Sequence, residues 1–218
     1  VLVTGGTGFV GRHVVDLLLS RGYAVAAASV PGDPLLLDLP DPVEGLAFDI
    51  ADVAAVSAVL ERLKPQAVFH MAGLARGNDL ARLLSVNAVG TDHLLRAARE
   101  LSAPPKVVIP GSAAEYGLLE AAQHADEGAP LRPISAYGVS KVAQTLTGLS
   151  FARRREVPVI VGRVFNITGP REPATMLIGA IAEQIVAIAQ SIRFSSSIAS
   201  TRAVLKVLEW SAITAWFR

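Results

Sequence analysis

The chain has 218 residues, 51% of them apolar and 18% charged, and a formal net charge of +1. That length holds one large domain, or one domain and part of another; the near-neutral balance argues against nucleic acid, because a surface that tracks a phosphate backbone carries a marked excess of Lys and Arg. The absence of cysteine excludes disulfides, thiolate nucleophiles and thiolate metal sites, and four scattered histidines do not suggest a metal centre.

The opening stretch "VLVTGGTGFVGRHVVDLLLSRGYAV" runs from a β-branched segment through a glycine cluster into a helical pattern that puts Val10, Val14, Leu17 and Leu18 on one face, with Gly22 ending the helix. "YAVAAASV" reads as a second, buried strand and "GLAFDI" as a third, followed by a helix over Val53–Leu63. "QAVFHMAG" is a fourth strand, "RLLSVNAVGTDHLLRAARE" one long helix and "KVVIPGS" a fifth strand. Tyr137–Arg153 is a helix whose basic end, Arg153 to Arg155, reads as solvated, and "VPVIVGRVFN" is a sixth strand. Short apolar strands alternating with amphipathic helices predict a doubly wound, Rossmann-like α/β fold: a parallel sheet covered on both faces, with ligands at the carboxyl ends of the strands. Past Pro170, "MLIGAIAEQIVAIAQ" is a helix, whereas residues 191–218 organise into no clear element. The first residue already lies in a strand, which implies a short preceding segment.

Gly5, Gly8 and Gly11 fall in the spacing TGxxGxxG, and Gly6, Gly8 and Gly11 also satisfy GxGxxG, where a strand meets a helix. Glycine lets the backbone turn tightly and approach a pyrophosphate without a Cβ, while the helix N-terminus offers free N–H groups and a positive dipole end. Dinucleotide binding is therefore expected in this loop, which continues through Phe9, Val10 and Arg12. Asp49 and Ile50, ending the third strand, can hold an adenine edge and face; Asp49 can equally cap the next helix, alone or with Asp52. Ala72 and Gly73, ending the fourth strand, are small enough for a cofactor to lie against the backbone, or mark a turn. The second strand's end, "AAASV", offers no acid for a ribose 2′-hydroxyl; Arg12 can meet a 2′-phosphate instead, which tilts the expectation from NAD toward NADP.

In "PISAYGVSK", Tyr137 and Lys141 share one helical face at i and i+4. An ammonium beside a phenol lowers the phenol pKa from about 10 toward the working pH, so that it can exchange a proton with a substrate oxygen. Ser112, at the end of the fifth strand, can hold the same oxygen.

TGxxGxxG, "DI" after the third strand, "VNAVGT", "GSAAEYG", YxxxK and "RVFNITGP" together resemble the extended short-chain dehydrogenase/reductase family of nucleotide-sugar enzymes, the NAD-dependent epimerase/dehydratases, over residues 1 to about 190. The resemblance implies a catalytic triad of Ser112, Tyr137 and Lys141, with Lys141 also on the nicotinamide ribose. It implies that Asn87 supports the cofactor site, and that Phe165 and Asn166 lie near the nicotinamide and the sugar nucleotide, although Val164 stands where the family usually has an aromatic residue or proline. The matching 4,6-dehydratases carry an acid where this chain has Ala113 and Ala114, and alanine can neither remove nor donate the protons of a water elimination. Glu115 is offset by one position, to the other side of an extended segment. GDP-fucose epimerase-reductases use a cysteine that is missing here. Simple hydride chemistry at C4 is left, and "GSAAEYG", "PLRPISAYGVSK" and "FNITGP" most resemble the branch that reduces GDP-4-keto-6-deoxy-mannose to GDP-rhamnose. A UDP-hexose 4-epimerase that retains its NAD is the alternative; a redox-sensing dinucleotide-binding protein is the non-enzymatic one, opposed by the Tyr/Lys pair.

The expected organisation is a NAD(P)-binding domain over residues 1–168 and a partial, gapped or truncated substrate region over 169–218, where "VLEWSAITAWFR" could be a C-terminal helix joined across absent segments. Without a signal peptide or a spanning apolar run, a cytoplasmic protein acting on a nucleotide sugar, with neither membrane nor nucleic acid as partner, is expected. Family resemblance implies a homodimer paired through Asn87–Glu100 and Ala136–Arg153, segments with apolar residues beyond one face.

Overall fold

The computed structural model describes residues 1–119 and 125–194, which form two units, Val1–Ile167 and the part of the chain from Thr168 onward. The first unit contains one six-stranded sheet in the order β3-β2-β1-β4-β5-β6, formed by β1 (Leu2–Thr4), β2 (Ala26–Ser29), β3 (Glu44–Ala47), β4 (Ala67–His70), β5 (Lys106–Ser112) and β6 (Val159–Val164). Every pairing is parallel. The order reverses between β1 and β4, so the chain leaves the two strands in opposite directions and opens a crevice at their carboxyl ends.

The strands alternate between two cores, as a pleated strand must. Leu2, Ala26, Ala28, Val68, Val107 and Ile109 face a large cluster that includes Val56 and Leu60 of α2 (Val53–Leu63), Leu94, Leu95 and Ala98 of α4 (Gly90–Arg99) and Phe151 of α5 (Ala136–Arg153). Val3 and Ala27 face the opposite way, onto Val15 and Leu18 of α1 (Phe9–Ser20). The buried face of α1 is Gly11, Val15 and Leu18; Leu17, expected inside, is half exposed. The glycine at position 11 displaces that face, because it lets the helix rest directly on the loop before it.

Four other differences from the sequence reading have local causes. The third strand ends at Ala47, and Phe48 to Ile50 lie beyond it. The single long helix is three pieces, α3 (Leu80–Leu84), a π turn over Ser85–Val89 and α4, the π turn closing with Gly90 N–H to Ser85 C=O. Helical cover on both faces holds for the centre of the sheet; within the first unit Ile160 and Val164 of β6 present exposed side chains. The outward positions of α4 are charged, Arg96 pairing with Asp92, so the apolar surplus expected on both paired segments is confined to Val89, Val139 and Leu146.

In the second unit α6 spans Leu177–Phe194, ending four residues beyond the apolar pattern. Just before it, Thr168 Oγ1 donates to Glu172 Oε2 at 2.6 Å and Glu172 Oε1 accepts from Gly179 N–H at 3.3 Å. The expected C-terminal helix lies outside the described residues. Arg153, Arg154 and Arg155 are exposed at the end of α5, Arg154 pairing with Glu156 and covering the Phe151 ring, a solvated helix end as read.

Candidate active site

The glycine turn is built by close approach. Gly5 has φ +64°, and a Cβ there would stand 2.7 Å from Ala72 N, so the turn after β1 is pressed against the end of β4. At Gly11 a Cβ would lie 2.0 Å from Gly5 O, which seats the first turn of α1 on the loop. Gly8 is the exposed N-cap of α1 and gives it no side-chain cap, leaving the free N–H groups of the helix start to an outside acceptor. Phe9 and Val10 are half-buried in that first turn. A loop whose glycines exclude side chains and whose helix end lacks a cap fits a pyrophosphate.

The sequence reading found no acid at the end of β2. The structure brings one there from the following loop. Asp33 caps a short 3₁₀ turn, Pro34–Asp38, and its Oδ2 accepts hydrogen bonds from Ser29 Oγ at 2.5 Å and Thr7 Oγ1 at 2.7 Å. Those bonds, with a smaller contribution from the charge of Arg12, lower its pKa. Arg12 donates from Nε to Thr7 C=O at 3.0 Å, and its buried Nη2 has no hydrogen-bond partner. Arg12 of the sequence reading is thus joined by a carboxylate, Asp33, that shares Thr7 with it and feels its charge. The signal for Asp33 was its position before a proline, a helix-cap pattern, rather than its distance along the strand.

Asp49 is exposed and accepts from Ala51 N–H at 2.9 Å, while Asp52 caps α2 by accepting from Ala54 and Ala55 N–H. Of the two readings of Asp49, helix capping belongs to Asp52, and the Asp49 carboxylate stays at the surface. Ile50 is buried and abuts Gly90, where a Cβ would meet it at 2.8 Å.

The π turn carries Asn87 inward. Its Oδ1 accepts from Leu74 N–H at 2.8 Å, and its Nδ2 donates to Leu74 C=O at 3.0 Å and to Ser140 Oγ at 2.9 Å. Ser140 in turn donates to Tyr137 C=O at 2.7 Å. Asn87 therefore clamps the chain after Ala72 and Gly73 to the first turns of α5; at Gly73 a Cβ would come within 3.0 Å of Asn87 Oδ1.

Tyr137 and Lys141 lie one turn apart near the start of α5, which Ser135 caps. Gly138 brings that turn onto the chain beyond Ser112, since a Cβ there would stand 2.5 Å from Ala114 O. Lys141 Nζ donates to Pro110 C=O at 2.7 Å, two residues before Ser112, and to Gln144 Oε1. An ammonium has three N–H bonds, so one is left for a ligand. Burial pulls the Lys141 pKa down to about 8, against an upward pull from Glu115.

Glu115 is fully buried, and a 3₁₀ turn over Ala113–Glu115, not the extended segment expected, turns it inward. Its Oε1 accepts from Ser112 N–H at 2.7 Å and Thr145 Oγ1 at 3.0 Å, and its Oε2 from Arg163 Nε at 3.0 Å. Arg163 continues to Tyr116 Oη and Glu127 C=O, both at 3.2 Å. Glu115 is thus the internal strut of the Ser112 turn. Phe165 stacks on Tyr116 with ring centroids 6.2 Å apart, and both Phe165 and Asn166 are exposed past β6.

Among the described residues no group of three or more His, Asp or Glu could hold a metal, and no helix is long and apolar enough to cross a membrane. A glycine-turned parallel sheet in this strand order, with Ser112 ending its fifth strand and Tyr137 and Lys141 on the following helix, defines a dinucleotide-binding fold. The chain belongs to the NAD dependent epimerase/dehydratase family, whose sequence profile matches residues 1–210. It is 30% identical over 189 residues to dTDP-6-deoxy-L-talose 4-dehydrogenase (NAD(P)(+)) of Kitasatospora kifunensis, covering 85% of this chain and 58% of that one. It is also 30% identical over 198 residues to GDP-6-deoxy-D-mannose reductase of Pseudomonas aeruginosa, covering 88% and 60%. Among solved structures, the UDP-glucose 4-epimerase of Thermus thermophilus in complex with NAD superposes with a TM-score of 0.77 at 29% identity, covering 87% of this chain and 62% of that one. The chain thus spans about three fifths of the length of these relatives.

His70, at the end of β4, is fully buried, and burial, helped by the charge of Lys141, lowers its pKa to about 3. The unfolded chain takes up this proton near pH 6.5, well before the folded one. Stability is therefore expected to fall as pH drops from about 6.5 toward 3, by up to about 1.4 kcal/mol per pH unit from this group. Urea unfolding of wild type and His70→Gln between pH 4 and 7 checks this: the wild type should lose stability more steeply on acidification, and parallel slopes would refute the assignment.

Proposed function

We propose that the protein is an NAD(P)-dependent oxidoreductase acting at C4 of the sugar of a nucleotide sugar, and that its particular reaction is reduction of the C4 ketone of GDP-4-keto-6-deoxy-mannose to GDP-rhamnose. The observation that carries the proposal is Lys141 anchored on Pro110 C=O, one helical turn after Tyr137 and two residues before Ser112.

The uncapped start of α1 and Gly5, Gly8 and Gly11 would hold the pyrophosphate, and the free N–H of Lys141 the nicotinamide ribose. A bound nicotinamide supplies the hydride. Tyr137 would protonate the C4 oxygen as negative charge develops on it, and Ser112 would donate a hydrogen bond to the same atom. Lys141, positively charged beside Tyr137, would favour the phenolate left behind. Phe165 and Asn166, exposed past β6, would face the sugar nucleotide. The family likeness and the globular composition support a cytoplasmic location.

Oxidation of NADPH or NADH with freshly prepared GDP-4-keto-6-deoxy-mannose, followed by nicotinamide absorbance, tests the reading. Turnover should fall about 10²–10⁴-fold in Tyr137→Phe; wild type that binds the cofactor but does not turn over would count against it. The specific observation behind a second reading, a UDP-hexose 4-epimerase, is likeness to an NAD-holding epimerase of that kind. That reading expects purified protein to carry bound nucleotide, whereas a reductase exchanges it.

Asp33 reverses the earlier tilt toward NADP. A carboxylate at the end of β2 suits a ribose 2′-hydroxyl and repels a 2′-phosphate, so NAD(H) is the proposed preference. Asp33→Asn should shift the NADP/NAD ratio of kcat/KM toward NADP by roughly tenfold or more, since a hydrogen bond to a charged group contributes about 1.5–3 kcal/mol; an unchanged ratio would remove Asp33 from the adenosine site.

The partner proposed is a second copy, paired through Asn87–Glu100 and α5 over Val89, Val139 and Leu146. Light scattering at micromolar concentration should give twice the 22.8 kDa chain mass, and a monomer would refute the pairing.

A further inference from the structure

A row of buried polar side chains crosses the carboxyl end of the sheet and ends on Lys141, and its hydrogen positions follow from chemistry alone. An ammonium only donates, so the Gln144 atom facing Lys141 is Oε1, and Nε2 points the other way, to Thr91 Oγ1 at 2.9 Å. The Thr91 hydroxyl donates to Asn87 C=O at 2.6 Å. Thr91 Oγ1 must then accept from its other neighbour, so His70 carries its proton on Nε2, 3.0 Å away. His70 Nδ1 is left as an acceptor and takes the Thr4 hydroxyl at 2.8 Å; Thr4 Oγ1 accepts from Ala72 N–H at 3.2 Å. Thr4, His70, Thr91 and Gln144 are each at most 1% exposed. The row therefore runs from the residue before Gly5 to Lys141, its two arms both donating toward Thr91, whose hydroxyl accepts from Gln144 and His70 and passes its own hydrogen to Asn87 C=O.

We propose that Gln144 is a positioning residue for Lys141: anchored through Thr91 and His70 to the strand that enters the glycine turn, it holds the ammonium at the end of β5 by a neutral acceptor rather than a carboxylate. This deepens, and rests on, the reading of Lys141 as a member of the site. The row carries no proton, because the one hydroxyl hydrogen of Thr91 points at a carbonyl and the amide of Gln144 does not ionise. Its contribution is to fix a cation in place without a countercharge in hydrogen-bond contact. The charged and titratable groups around Lys141 are Glu115 on the turn after β5, linked to Arg163 of β6, Tyr137 on its own helix, and His70 on β4, which stays neutral. A neutral partner leaves the lysine sensitive to its surroundings; a carboxylate in the same place would lock it in the charged form.

The test uses the 218-residue chain labelled with ¹³C at the lysine side chains. Lys64, Lys106 and Lys206 are the only other lysines in the sequence, and Lys64 and Lys106 are exposed references. In wild type, Lys141 should titrate near 8. Gln144→Glu should raise that midpoint by at least about one unit, because a carboxylate favours the charged form, and Gln144→Met should lower it. The alkaline limb of kcat/KM should move in the same direction as the Lys141 midpoint. Thr91→Val keeps the shape but removes Gln144's anchor, and should lower the midpoint if either Gln144 variant fails to fold. A Lys141 midpoint that does not move in folded variants overturns the inference, whatever the turnover. A midpoint that moves as stated in a protein without turnover upholds the positioning role while refuting the proposed reaction, so the two failures are distinguishable.

Discussion

The interaction on which the site turns is the burial of one ammonium. Moving a positive charge out of water is unfavourable unless its N–H bonds find acceptors. Lys141 finds them in Pro110 C=O, a strand carbonyl near the end of β5, and in Gln144, a neighbour on its own helix. The first ties α5 to the strand that bears Ser112; the second ties it to the row reaching β1. The bond to β5 and the row that leads from Gln144 through Thr91 and His70 to β1 together set where the start of α5 stands, and with it Tyr137. The nearest buried carboxylate, Glu115, is occupied elsewhere by Arg163, Thr145 and the Ser112 amide, so it acts on the lysine through the field rather than by contact.

The fold was legible because hydrophobic period and glycine placement are local properties. All six strands and the helices before and after them appear where the alternation of short apolar runs and amphipathic stretches put them, and β5 and α2 match to the residue. The misreadings came where a tertiary contact overrode the local pattern. Leu17 turned outward because Gly11 sits on Gly5 O; the long helix broke into a π turn where Asn87 is held by Leu74 and Ser140. The first depends on the path of the glycine loop's backbone rather than on hydrophobic period, and the second on partners 13 and 53 residues away along the chain.

The candidate site divided the same way. Ser112, Tyr137, Lys141 and the glycines stood out as candidates because each lies in a short motif with a physical reason for its spacing. Asp33 was missed because it acts at the end of β2 from a loop four residues on, and Gln144 because no motif singles out the position three after the lysine. Glu115 had been weighed only as a misplaced catalytic acid, whereas a 3₁₀ turn makes it a buried partner for the backbone of Ser112. Polar residues that serve a site through other residues leave little trace in sequence, since their partners are distant along the chain: Thr4, His70, Thr91 and Gln144 span four separate elements.

The π turn has one more consequence, which concerns helical phase. In an unbroken α-helix the roughly fifteen steps from Leu83 to Ala98 rotate the chain about 60° beyond four full turns. Over that distance a line of side chains starting in the interior would wander toward the surface. Leu83, Asn87, Thr91, Leu94 and Ala98 are nevertheless all buried. The wide turn at Ser85–Val89 absorbs part of that drift, so one face can first serve the polar row and then the apolar core. The irregular stretch is what lets α3 and α4, joined end to end through it, keep two different appointments with the sheet.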